Sequence, residues 1–140
     1  MILIIGAAYF FALFKALRTD SLRSGAALGL SVIIGGLLYW TIPYSKMNVT
    51  SGFFLAVFYS LGLIAGLAVM RWLRLAWPKS SSVVGLGFVT AVTARAVYDA
   101  FRDPESHSLF FMEVAIAFMV GFVGSSIAAI VGHLLRRRHA

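Results

Sequence analysis

Seven ionisable side chains lie close together in the sequence between residues 95 and 113 of a chain that is otherwise poor in charge. They are Arg95, Asp99, Arg102, Asp103, Glu105, His107 and Glu113. Inside a bilayer such groups are costly unless they are paired, and they commonly mark substrate or ion pathways. A histidine among carboxylates adds a group that titrates near neutral pH. This charged cluster is therefore the first candidate for chemistry.

Three interpretations of the charged cluster are open. Arg95 and Glu113 lie at a similar predicted depth on either side of a turn, and an ion pair between them would fix helix register. Asp99 follows Arg95 by one helical turn and can share its guanidinium. Alternatively, Glu113 is the titrating group of a proton or ion pathway, with Arg95 as counter-ion and His107 as relay. The third interpretation is a divalent metal site, in which carboxylates and His107 bind the ion.

The metal interpretation is the weakest, because the chain contains no HxH, HExxH or ExxH spacing. We therefore predict no metal site and no cofactor. We also predict that the chain is not an enzyme. It has no cysteine, no base accompanies the serines at 80–82, and Gly85-Leu86-Gly87 lacks the strand that a dinucleotide site needs. No catalytic residue is proposed.

The composition indicates which elements must position these side chains. Of the 140 residues, 61% are hydrophobic and 12% are charged, and the mean hydropathy is +0.92. Soluble domains carry about 25% charged residues, so most of this apolar surface must face lipid or other helices within lipid. The segment 53–70 is apolar nearly throughout rather than alternating, which favours helices over barrel strands. We predict an all-α integral membrane protein, folded as a compact bundle.

Five apolar segments divide the chain, and we predict a single membrane domain over residues 1–140. The predicted spans are 2–17, 24–42, 50–72, 80–101 and 109–135. The first has an uncharged stretch of only 13 residues, 2–14, which as a helix is about 20 Å long, short of a hydrocarbon core of about 30 Å. The bundle therefore has five transmembrane helices, or four if segment 2–17 does not span. Basic residues follow this segment rather than precede it, so we interpret it as retained rather than as a signal peptide.

The basic residues are distributed unequally between the two sides of the predicted bundle. Nine lie on one side and two on the other, and the C-terminal Arg136–Arg138 is on the richer side. The positive-inside rule places that side in the cytoplasm, and we expect a bacterial inner (plasma) membrane. The same rule explains the formal net charge of +7 without a nucleic-acid partner. We expect anionic lipids at the basic cytoplasmic ends.

Small residues recur four positions apart on three of the predicted helices. The glycines that we expect to pack against helices are Gly25, Gly29, Gly36, Gly62, Gly66, Gly121, Gly124 and Gly132. Such spacing lets helix backbones approach closely in lipid. The packing could lie within the monomer or at the interface with a partner or a second copy.

The sequence therefore predicts a small polytopic membrane protein that is a non-enzymatic subunit or interaction protein of a membrane complex. Its short loops and glycine stripes support that function. The alternative is a homo-oligomeric channel, or a proton- or ion-coupled transporter, that uses the charged cluster on its last two helices. Both predictions imply association with other membrane subunits or with further copies of the chain.

Overall fold

The computed structural model describes residues 4, 7, 11, 18, 21–42, 51–75, 77, 79–102 and 110–138. Four helices account for most of them: α1 (Ser21–Thr41), α2 (Gly52–Trp72), α3 (Lys79–Ala100) and α4 (Phe110–Arg138). All four are long and apolar enough to cross a membrane. The protein is therefore an all-helical bundle of the predicted class, and each helix end lies within three residues of the corresponding predicted bound.

The predicted count of five spans is not supported. The described residues form four helices of sufficient length and hydropathy, which is the smaller count that the sequence left open. The predicted span 2–17 lies outside the described residues except at Ile4, Ala7 and Phe11, which are helical and exposed. Its uncharged stretch is the shortest of the five, and this is the physical reason that it was the least secure span.

The ends of α2 follow from local capping chemistry. Ser51 precedes the helix in extended conformation, and its hydroxyl accepts a hydrogen bond of 3.1 Å from the Phe54 backbone N–H. That bond satisfies one of the donors that the first helical turn leaves without a partner. At the other end, the Leu73 N–H donates to the Val69 carbonyl at 3.1 Å. The helix therefore ends at Trp72, as the sequence predicted.

The four helices form a ring in which α3 packs against α1 and α4, and α2 packs against α4 and, less extensively, α1. Pairs of neighbouring residues give the directions. Gly87 lies against Ser31 and Gly62 against Val120, whereas Gly121 lies against Gly85. From one contact to the next, the residue numbers rise in both helices of the α1–α3 pair and in both helices of the α2–α4 pair. Gly66, for example, lies against Ser125, four residues after Gly62. These two pairs are therefore parallel. The α3–α4 pair is antiparallel.

An aromatic cluster fills the core where α1, α2 and α3 meet. It consists of Tyr39, Phe54, Phe58 and Phe88. The rings of Tyr39 and Phe54 pack edge to face with centroids 5.8 Å apart, and those of Phe58 and Phe88 stack at 5.2 Å. Offset and edge-on pairs of this kind add to the stabilisation from packing. The cluster fixes the position of Tyr39, and this matters for the site described next.

Candidate functional site

Arg95 lies near the end of α3 and joins that helix to α1. Its Nε donates to Asp99 Oδ2 at 2.7 Å, one turn further along α3. Its Nη1 donates to the backbone carbonyl of Tyr39 on α1, and its guanidinium carbon lies 5.6 Å from the centroid of the Trp40 ring. The side chains of Arg95 and Asp99 are only 11% and 13% exposed. A charge with this little exposure is tolerated because it is paired and hydrogen-bonded.

The Tyr39 carbonyl is available to Arg95 because of where α1 ends. The last four carbonyls of a helix have no partner within that helix, and α1 ends at Thr41. A guanidinium at this position also complements the negative end of the helix dipole. The Arg95 contact therefore caps α1 from the side while it holds α3 in register with α1.

Glu113 lies in the first turn of α4 and is 1% exposed. A carboxylate there is favoured by the positive end of the helix dipole. The Gly85–Gly121 contact sets the antiparallel register of α3 and α4, and extending it places Glu113 within about 3 Å of the level of Arg95. The recorded partners of Arg95 are nevertheless Asp99, Tyr39 and Trp40. The Arg95–Glu113 pair that the depth match favoured stays a prediction.

The remaining members of the charged cluster are only partly described. Arg102 is exposed, and its guanidinium carbon lies 5.3 Å from the centroid of the Tyr98 ring. Its backbone N–H donates to the Asp99 carbonyl at 2.9 Å. Asp103, Glu105 and His107 lie outside the described residues. The relay interpretation needs His107, and the metal interpretation needs His107 and the carboxylates of this loop, so both stay untested.

Glycines make the closest helix contacts in the bundle. A Cβ atom built on Gly66 would lie 2.5 Å from Cα of Ser125, and one built on Gly62 would lie 2.6 Å from the Val120 carbonyl oxygen. The same crowding, with an atom closer than 3.0 Å, holds for Gly121 and Gly124 on α4 and for Gly35 and Gly87, which are outside the predicted set, and Gly85 lies at the 3.0 Å limit. Real Cβ atoms do not approach this closely, so α4 packs directly against the backbones of α2 and α3.

Another set of predicted packing glycines has no such neighbour. Apart from the adjoining residues and backbone of the same helix, no heavy atom of the described residues lies within 4 Å of a Cβ built on Gly25, Gly29 or Gly132. Gly25 and Gly29 stand on a side of α1 turned away from its buried stripe. That stripe consists of Ser24, Ala27, Ser31, Gly35 and Tyr39, and Gly36 beside it is buried as well. One surface of α1 therefore carries two glycines, four residues apart, on which none of the other three described helices packs.

This surface continues into a groove between α1 and α3. The groove has a volume of about 420 Å³. It is lined by Val32, Ile33, Gly36, Leu37, Trp40, Thr41, Ala91 and Ala94. Gly36 forms part of its floor, with Cδ1 of Trp40 and Cβ of Ala91 at 3.3 and 3.8 Å from a built Cβ. We call the surface formed by Gly25, Gly29 and the groove the open face of α1.

The sequence did not single out Tyr39 and Trp40 as partners of Arg95. A weak signal was present for Trp40, because it continues the spacing Gly25, Gly29, Gly36 along α1. No side-chain pattern could reveal Tyr39, since its contribution is a backbone carbonyl. Gly85 and Gly87 were missed because they are two positions apart rather than four.

The comparisons with known proteins add no relative to this geometry. No family model matches the chain, and no curated protein and no solved structure is similar to it.

Proposed function

We propose that this chain is a non-enzymatic subunit of a membrane complex and that the open face of α1 receives a transmembrane helix of a partner polypeptide. The observation that carries the proposal is the contrast between glycines. Gly62 and Gly66 on α2 and Gly121 and Gly124 on α4 pack against other helices of the chain, whereas Gly25 and Gly29 have no packing neighbour among the described residues. Small residues four apart are how transmembrane helices approach one another in lipid.

The shape of the open face supports a helix as its occupant. The glycines leave space along the first half of α1, and the groove next to them is apolar apart from Thr41. The Thr41 hydroxyl already donates to the Leu37 carbonyl at 2.5 Å. A partner helix therefore needs no polar group here, and van der Waals packing would drive its association. Trp40, which is half exposed beside Arg95, would lie at the rim.

The membrane and orientation are part of the same proposal. The end of the bundle that carries Arg23, Arg71, Arg74 and Arg136–Arg138 would face the cytoplasm of a bacterial inner membrane. The end that carries Arg95, Asp99 and Glu113 would face the exterior. Anionic lipids would neutralise the basic end.

Site-specific photo-crosslinking tests the open face with a matched control inside the same chain. A photoreactive residue at Ile33 should give an adduct with a distinct membrane polypeptide, whereas one at Ile64 should give lipid adducts alone. Ile33 lies in the groove and is 65% exposed, and Ile64 is 51% exposed on α2. Native mass spectrometry should recover the same polypeptide in fixed stoichiometry.

A second pair of variants establishes that the adduct depends on the glycine surface. Gly29→Leu should abolish the Ile33 adduct and the complex, because the new side chain occupies the space that the partner needs. Gly132→Leu adds the same side chain at another glycine that has no neighbour in the described part of the chain, and it should change neither the adduct nor the complex. Lipid adducts alone at Ile33, or a complex that survives Gly29→Leu, would contradict the proposal.

The alternative function, a homo-oligomeric channel or a proton- or ion-coupled transporter, is favoured by one observation. Glu113 is a nearly fully buried carboxylate within a candidate span, and such groups are functional candidates. On this alternative the Ile33 adduct would be a second copy of the chain. Glu113→Gln would abolish ion or proton flux in reconstituted vesicles while yield and folding stay normal. Unchanged flux would remove Glu113 from the mechanism.

A further inference from the structure

The turn after α2 holds an arginine in a conformation that arginine rarely adopts. Leu73 caps the helix, and Arg74 follows it with a φ of 54°. This is the left-handed region, and the position after a helix C-cap is normally occupied by glycine or asparagine. A side chain with a Cβ is unfavourable there. An outlier of this kind justifies asking what the side chain does.

Contacts on the far side of the turn keep Arg74 in this conformation. Leu75 is buried in the core. Two residues later, Nε1 of Trp77 donates to the Ser126 hydroxyl on α4 at 3.1 Å. Ser126 in turn donates to the Ser81 hydroxyl on α3 at 3.2 Å. The backbone around Arg74 is therefore anchored to α2 on one side and to α3 and α4 on the other.

The surroundings of Arg74 are basic and aromatic. Trp72 and Trp77 flank it in sequence and are 73% and 57% exposed. Arg71 lies on the last turn of α2, Lys79 begins α3, and exposed Arg136–Arg138 end α4. The described residues of this end, 21–26, 71–75, 77, 79–82 and 130–138, include no aspartate or glutamate. A ligand that balances this charge must be an anion.

We propose that Arg74, with Trp72 and Trp77 on either side, binds the phosphate group of an anionic phospholipid. A guanidinium pairs with phosphate through two parallel hydrogen bonds. Tryptophan rings favour the headgroup level of a bilayer, which is the depth of a lipid phosphate. The unfavourable backbone conformation then serves to hold the guanidinium at the bilayer surface. This site is independent of the partner proposed for the open face of α1.

Fluorescence quenching in vesicles tests this lipid site. The background variant is Trp40→Phe, because Trp40 lies at the opposite end of the bundle and the remaining emission then comes from Trp72 and Trp77. The vesicles are phosphatidylcholine with increasing fractions of brominated phosphatidylglycerol. Both leaflets of the vesicles have the same lipid composition, so the result does not depend on the direction in which the protein inserts. We expect preferential quenching by the brominated anionic lipid, and Arg74→Gly should lower that preference about tenfold, because it removes charge-assisted hydrogen bonds to the phosphate as well as one positive charge.

Stability provides a second readout that a general loss of structure would not reproduce. Arg74→Gly should keep or raise the melting temperature, because glycine relaxes the backbone at this position. Arg74→Lys should retain at least half of the lipid preference, since it keeps the charge. If Arg74→Gly does not fold, Arg74→Asn removes the charge in a residue that also tolerates this conformation.

The matched control is Arg137→Gln, which removes one positive charge from the same end of the bundle. It should lower the preference less than twofold. Equal losses in Arg74→Gly and Arg137→Gln would mean diffuse attraction to a charged surface and would overturn the site. Equal quenching by brominated phosphatidylcholine would also overturn the site. Loss of the lipid preference in millimolar inorganic phosphate would do the same.

Discussion

Gly66 on α2 and Gly29 on α1 each belong to a pair of glycines four residues apart, but their surroundings are opposite. A Cβ on Gly66 would meet Cα and Cβ of Ser125 at 2.5 Å, whereas a Cβ on Gly29 would meet no described atom within 4 Å. The spacing therefore indicates that a helix can be approached closely. It does not indicate which helix approaches it, or whether that helix belongs to the same chain.

The difference follows from how α1 is rotated about its axis. Ser31 and Gly35 face α3, where Gly87 and Phe88 pack against them. Adjacent positions on a helix differ by about 100° of rotation, so Gly25 and Gly29 lie to one side of this buried stripe. On α2, by contrast, Gly62 and Gly66 coincide with the buried stripe.

The largest expected effect compares the two glycines directly. Gly66→Ala should lower the free energy of unfolding by about 2–3 kcal/mol, because the new methyl group collides with the α4 backbone and overpacks the interface. Gly29→Ala should leave the isolated chain within about 0.5 kcal/mol of the parent, or slightly raise its stability through the better helix propensity of alanine. Unfolding titrations in mixed micelles measure both. Equal losses would mean that the open face of α1 is packed within the monomer.

A smaller loss of stability is expected from changing Arg95, which holds α3 against α1. Arg95→Gln should lower the free energy of unfolding by roughly 2 kcal/mol. The substitution removes the cation that pairs with Asp99, whose side chain is largely buried, and it removes the donor to the Tyr39 carbonyl. Arg102→Gln provides the control, since Arg102 is exposed, and should change stability by less than about 0.5 kcal/mol.

The pair itself can be separated from the rest of the Arg95 contacts by a double-mutant cycle. Asp99→Asn alone should cost less than Arg95→Gln, because Arg95 retains the Tyr39 carbonyl and the Trp40 ring. The double variant should then cost less than the sum of the single changes. Strict additivity would show that the 2.7 Å ion pair contributes nothing to the register of α1 and α3.

The sequence predicted the elements of this fold well because their signals are local. Apolar length and the flanking charged or aromatic residues placed the ends of all four described helices, and the four-residue spacing predicted that Asp99 could share the Arg95 guanidinium. Both signals depend on neighbours along one helix. The predicted span 2–17 has the weakest local signal, because its uncharged stretch is the shortest of the five.

The partners of Arg95 on α1 could not be predicted, because they depend on how non-neighbouring helices pack. The hairpin between α3 and α4 suggested Glu113 as the partner, since consecutive helices are adjacent and the depths agree. Sequence depth does not specify rotation about the helix axis, however, so it could not reveal that Arg95 also contacts Tyr39 and Trp40 on α1. Tyr39 and Arg95 are 56 positions apart and lie on two parallel helices. A contact between such distant positions produces no residue spacing that could be recognised in the sequence.

The smallest effect concerns the turn after α2, which the Trp77 side chain connects to α4 through a hydrogen bond to Ser126. Trp77→Phe keeps an aromatic ring but removes the donor to Ser126, and should lower the free energy of unfolding by about 1 kcal/mol. Trp72→Phe makes the same change at a more exposed ring and should have almost no effect. Because the Ser126–Ser81 hydrogen bond remains available, Trp77→Phe should also speed hydrogen exchange in the turn before it affects α3. Faster exchange in α3 alone would mean that the turn is held by Leu75 rather than by the indole.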